Sequence, residues 1–137
     1  RRPDEKRLQW ARKTLAGVKN PDRLSRPQVY AGEALELAGF PATVPLKLQA
    51  IRIGGLGIAA IPCEVFAETG LAIKAQSPLD PTLVIELANG YNGYLPTPSQ
   101  HALGGYETWP ARSAYLEPQA ESRIRATALR LLGQLVE

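Results

Sequence analysis

The 137 residues include no methionine, one cysteine and one histidine, and no tract of low complexity. Each scarcity excludes something. The lone Cys63 has no partner for an internal disulfide, which leaves the compartment open. A single imidazole, His101, cannot complete a mononuclear zinc site of the multi-histidine kind from this chain alone. No Gly-x-Ser-x-Gly elbow is present to expose a nucleophilic serine, and Ser77, Ser99, Ser113 and Ser122 fall in turn or helix contexts. No run approaches the roughly 20 apolar residues of a membrane span, so no transmembrane segment is expected. A chain that begins at Arg1 without methionine or a signal-peptide pattern reads as an excised or processed piece of something longer, its targeting segment lost upstream.

What is present suits one core of ordinary size, since 45% of the residues are apolar. Sixteen basic residues stand against thirteen acidic ones, a net charge of +3. The basic residues are scattered, so nucleic acid is not an expected partner, and the cluster Arg1, Arg2, Lys6, Arg7, Arg12 and Lys13 reads as a solvated helix face. Cys63 reads as a small buried filler, because nothing pairs it with His101 to make a nucleophile.

Apolar spacing predicts the elements. Leu8, Ala11, Leu15 and Val18 make one face of a helix over 4–18, and Tyr30, Ala34, Leu37 and Ala38 one face of a second over 26–38. From Thr43 to Ile53 the apolar positions alternate and then shift phase, which predicts a strand with a bulge. Gly54-Gly55 then turns the chain into the buried strand Leu56 to Ile61. A helix over 63–76 and a strand over 82–88, with Leu83, Ile85 and Leu87 on its core side, complete a parallel βαβ unit. The stretch 89–115 has little periodicity and many aromatics, the texture of a long functional loop. Glu117-Pro118 opens a last helix with Ile124, Ala128, Leu131 and Leu135 on one face. The expected fold is therefore α/β, with a small mixed sheet (an antiparallel hairpin plus a parallel βαβ strand), helices packed on it, and a long loop before the C-terminal helix. One domain is expected, with a helical segment over 1–40 and an α/β segment carrying the site motifs over 41–137.

Candidate chemistry gathers where two parallel strands end. Ligands in open α/β sheets bind beyond the carboxyl ends of the strands. Glu64 follows one strand, and the glycine- and tyrosine-bearing loop Asn89 to Thr97, with Tyr91 and Tyr94, follows the next. Glu64 and Glu68 are expected one helical turn apart, with Glu64 in a first turn that favours an anion. A carboxylate beside such a loop can serve a hard or borderline metal, though periodicity identifies none. Gly54-Gly55-Leu56-Gly57 is too short for a dinucleotide fingerprint.

Three ordered blocks carry a resemblance. Ala60-Ile61-Pro62-Cys63-Glu64-Val65-Phe66 looks like a Val-Pro-Gly-Glu-Phe block, Asn89 to Thr97 looks like Asn-x-Tyr-x-x-Tyr-Ile-x-Thr, and Tyr106-Glu107 lies at the matching distance beyond Tyr94. From about Leu48 to Leu132 the chain thus resembles the C-terminal part of the catalytic region of the neutral/alkaline ceramidase family, zinc-dependent amidohydrolases of sphingolipids. The resemblance implies zinc as cofactor, Glu64 and Tyr94 as two of its ligands, and Tyr106 as a catalytic and substrate-lining group; Tyr91, in the same loop, reads as a substrate-binding or a packing residue. It also implies that two histidines and the active-site serine come from the N-terminal remainder of the same catalytic region. The substrate would be a ceramide-like lipid amide, cleaved to a sphingoid base and a fatty acid, and the location secreted or periplasmic. On this reading the chain is a fragment of a catalytic region, inactive in isolation, with His101 a loop residue.

The sequence departs from the family at Cys63, at the short connection around Ser77 to Pro81, and at Thr108 to Arg112. These changes touch the substrate side more than the metal. Two alternatives stay open: a related zinc hydrolase of another amide or ester, and a non-enzymatic module using Tyr91, Tyr94, Tyr106, Trp109 and Tyr115 as an aromatic surface.

Overall fold

In the computed structural model, which describes residues 1–136, local hydrogen bonding sets the helical start of the chain. Asp4 accepts from the Arg7 backbone N–H at 2.7 Å and so begins α1, Glu5–Ala16. Ser25 and Gln28 form a reciprocal cap for α2, Arg26–Ala38, with Pro27 in its first turn. These helices pack on each other through Ala11, Ala31 and Ala34, flanked by Trp10 and Leu15.

The sheet follows. β1, Gln49–Ile53, and β2, Leu56–Ala60, form an antiparallel hairpin around Gly54, whose φ of 60° suits glycine. After the short strand β3, Glu64–Val65, helix α3, Ala67–Gln76, crosses over to β4, Thr82–Ile85, which lies parallel to β2. The strand order is β1-β2-β4. A second, two-stranded sheet pairs β3 in parallel with β5, Tyr94–Leu95. Helix α4, Pro98–Leu103, a 3-10 turn at Tyr106–Thr108 and helix α5, Ala120–Gly133, complete the chain. This is a mixed α/β fold, with antiparallel and parallel strands packed by helices, as expected. No helix among the described residues is long and apolar enough to cross a membrane.

The main core lies between the sheet and α3 and α5, built from Ala59, Ile61, Ile73, Leu95, Ile124, Ala128 and Leu132 among others. A carboxylate is buried with them. Glu121 is 2% exposed and accepts hydrogen bonds from Thr69 Oγ1 on α3 and Arg125 Nε on α5, both at 2.9 Å. A buried carboxylate requires such partners, and here they also tie the two helices together.

Several expectations are corrected. The first strand begins only at Gln49, and Val44, Leu46 and Leu48 reach the core from outside the ladder. The helix expected over 63–76 begins at Ala67, because Glu64 and Val65 are drawn into β3 by the partner strand β5. Glu64 and Glu68 are thus not one helical turn apart, and Glu64 lies in no helix. The strand expected over 82–88 stops at Ile85, since Leu87 and Asn89 take positive φ values of 54° and 67°. The last helix starts at Ala120 rather than Glu117.

The largest correction concerns which side of β4 is buried. Leu83, Ile85 and Leu87 are 46–48% exposed, whereas Thr82 is buried and Val84 packs on the core. Thr82 can face inward because its hydroxyl bonds Ser77 and the Leu79 carbonyl. Both alternate sets of residues are compatible with an interior, so period alone could not choose between them.

Candidate functional site

The site is built on the pairing of β3 with β5, in which Glu64 stands in register with Tyr94. Backbone bonds set that register. The Glu64 N–H donates to the Gly93 carbonyl at 2.9 Å, and the Tyr94 N–H donates to the Ser113 carbonyl at 2.7 Å. Gly93 has φ of 74°, and a Cβ there would fall 2.3 Å from the Ser113 carbonyl oxygen, so only glycine fits this approach. Asn92 secures the loop further: its backbone and side-chain N–H groups donate to the Pro62 carbonyl, while its Oδ1 accepts from Tyr115 at 2.8 Å. The Glu86 carboxylate accepts from the Val65 N–H at 2.8 Å and holds the other end of β3.

Tyr91 and Tyr94 neighbour the Glu64 carboxylate, and Tyr106 joins them through Tyr94. Tyr91 donates its hydroxyl to Glu64 Oε1 at 3.1 Å. Tyr94 and Tyr106 meet edge to face, with ring centroids 5.6 Å apart and a long hydroxyl contact of 3.5 Å from Tyr94 to Tyr106. The Tyr106 contact, desolvation and the Glu64 charge together hold the Tyr94 phenol above its ordinary pKa. Desolvation and then the Glu64 bond also raise Tyr91. Both phenols therefore keep their protons at neutral pH, and a cation that took Tyr94 as an anionic ligand would have to release one.

The structure thus brings Glu64, Tyr91, Tyr94 and Tyr106 together. A packing role for Tyr91 is corrected, because its side chain is bonded to Glu64 and 57% exposed. Glu68 lies apart on α3 and binds Thr97 and Gln100, fixing the start of α4. His101 sits in α4 rather than in a loop. Cys63 is fully buried, and desolvation pushes its thiol up to about 12, as suits a filler and not a nucleophile. Trp109 packs edge-on against Tyr30, and Tyr115 against Phe40, so these two aromatics belong to other contacts.

Asn92, Ser113 and Glu86 position the site through contacts that sequence reasoning missed. Asn92-Gly93 carried a turn signal, whereas Ser113 contributes only its carbonyl and left no side-chain trace.

Among the described residues no group of three or more His, Cys, Asp and Glu side chains could hold a metal. Glu64 and Tyr94 offer two oxygen donors of a type zinc or another hard cation accepts, half of a four-coordinate set. Comparisons of the chain with protein-family models, with curated proteins and with solved structures find no match.

Proposed function

We propose that this chain is the C-terminal portion of a zinc-dependent amidohydrolase similar to neutral ceramidase, acting on the N-acyl amide of ceramide-like lipids. The observation that carries the reading is the in-register placement of Glu64 opposite Tyr94, with Tyr106 against the Tyr94 ring. Glu64 and Tyr94 would hold the metal and Tyr91 would orient the Glu64 carboxylate. Zinc, when bound, would polarise the amide carbonyl and lower the pKa of its water towards about 7. The Tyr106 hydroxyl would donate to the oxygen on which charge develops, and its exposed ring would line the path of the substrate.

The N-terminal remainder of the catalytic region would supply the missing donors. An open apolar side of the main sheet, where Ile51, Ile53, Leu83 and Ile85 are 46–63% exposed, supports such a partner.

The test pairs the chain with that remainder and measures zinc-dependent hydrolysis of ceramide and of a panel of other amides and esters. Activity is expected from the pair and not from the chain alone. Hydrolysis by the isolated chain would overturn the split site, and activity confined to non-lipid substrates would overturn the ceramide assignment. Within the active pair, Glu64→Ala is expected to lower zinc affinity by more than the roughly 10–100-fold cost of losing an outer-shell partner. Tyr106→Phe should retain zinc while kcat falls by about 10²–10³. Full zinc retention in Glu64→Ala would overturn the assignment of Glu64 as a metal ligand, and absence of any zinc-dependent activity from the pair would favour the non-enzymatic aromatic module.

A further inference from the structure

A cleft of about 910 Å³ lies between α1, α2 and the segment around Trp109. Its volume is in the range of small-molecule sites. The interior is apolar, with Ala34 and Leu37 almost fully buried along its wall. Both tryptophans of the chain, Trp10 and Trp109, line it together with Tyr30.

Positive charge borders this apolar space. The Arg7 guanidinium lies 3.8 Å from the centre of the Trp10 ring, and that of Arg26 lies 5.7 Å from the Trp109 ring. Among the described residues neither is in a salt bridge, unlike Arg12, Arg112, Arg123 and Arg125. Arg1 and Arg2 also line the cleft, but their guanidiniums donate to the Ala114 and Ala38 carbonyls. The one lining carboxylate, Asp4, already accepts from the Arg7 backbone as the cap of α1. A guanidinium resting on an indole face keeps its in-plane N–H donors free, and that planar fork matches a carboxylate or a phosphate.

We infer that this cleft binds an anionic amphiphile: an alkyl or acyl body lies along Ala34, Leu37 and Tyr30, while its carboxylate or phosphate head is taken by Arg7 and Arg26. An apolar interior with two unpaired guanidiniums at its border provides for both parts of such a molecule. A nucleotide fits less well, because the lining offers little to read the edge of a base. The inference does not depend on the hydrolase reading, since none of Glu64, Tyr91, Tyr94 and Tyr106 lines the cleft.

The test uses the tryptophans as reporters, because both lie in the cleft. Decanoate below its micelle concentration is titrated into the full chain while tryptophan emission is followed, with decanol and inorganic phosphate as the two half-ligands. Phosphatidylglycerol and phosphatidylcholine vesicles form a parallel arm. A saturable change is expected with decanoate, with affinity at least tenfold above that of either half-ligand. Arg7→Gln/Arg26→Gln should weaken it at least tenfold, and Arg7→Lys/Arg26→Lys should restore part of the loss, with unchanged circular dichroism in both. Response to decanoate assigns a free amphiphile as the source, and response to phosphatidylglycerol vesicles alone assigns a lipid headgroup. No response to either, equal binding of decanol, or full binding by the folded glutamine variant would overturn the proposal.

Discussion

The two faces of the main sheet differ in a way opposite to that of a finished two-layer domain. Across the three strands, Ala50, Ala59 and Val84 form one cross-strand row, and Ile51, Ile58 and Leu83 form the next. The row of smaller side chains faces the core, and the row of larger ones faces outward. The small side chains let α5 approach β1 and β2 closely, while the large ones leave apolar surface in water, where each fully buried equivalent would gain roughly 1.5–3 kcal/mol. The covered face therefore supports this chain by itself, and the open face is suited to a further layer.

Substitutions on the two faces sharpen that contrast. Ile61 is fully buried in the main core, so Ile61→Ala is expected to cost about 2–5 kcal/mol in chemical denaturation. Gly57→Ala should cost about 1–3 kcal/mol, because a Cβ there would lie 2.9 Å from Leu79 Cβ on the covered side. A smaller effect comes from Glu33 on α2, whose carboxylate accepts from the Arg112 guanidinium and from the Arg112 backbone N–H, both at 2.8 Å. The Arg112 hydrogen bond holds the Glu33 carboxyl below its ordinary 4.5, so the folded chain binds fewer protons than the unfolded one over that interval. Its contribution is complete above about pH 4.5 and is lost as pH falls through the lower folded value, and Glu33→Gln should flatten that part of the stability–pH curve. On the open face, Ile85→Ser should change stability by no more than about 0.5 kcal/mol in the same denaturation experiment. Unfolding by Ile85→Ser comparable to that of Ile61→Ala would break the comparison, since both faces would then carry equal weight.

The contrast also explains what could be read from the residues. Strong local signals were sufficient for α2, whose bounds agree with the expectation, and for the glycine-turned hairpin and the parallel crossover. Glu64 misled because Pro62 ahead of an apolar run has the form of a helix start, and only pairing with Tyr94, thirty residues on, makes it a strand. The faces of β4 misled for a different reason. Thr82 becomes an interior residue only through Ser77 and the Leu79 carbonyl, which the strand's own alternation does not encode. In the site, the Glu64 and Tyr94 juxtaposition was legible because parallel strands must end on one edge. The roles of Asn92 and the Ser113 carbonyl depend on long-range backbone bonds that no side-chain pattern announces.

The sole thiol of the chain lies directly before Glu64, with no exposed surface, and its carbonyl accepts from the Leu87 N–H at 3.1 Å. In the native state it is both inaccessible and protonated, so an alkylating reagent can reach it only when the junction between β2 and β3 opens. The rate at which a maleimide labels Cys63 is accordingly a clock for the opening of the seam beneath the tyrosines. Anything that locks Glu64 to Tyr94, a bound cation included, should slow it.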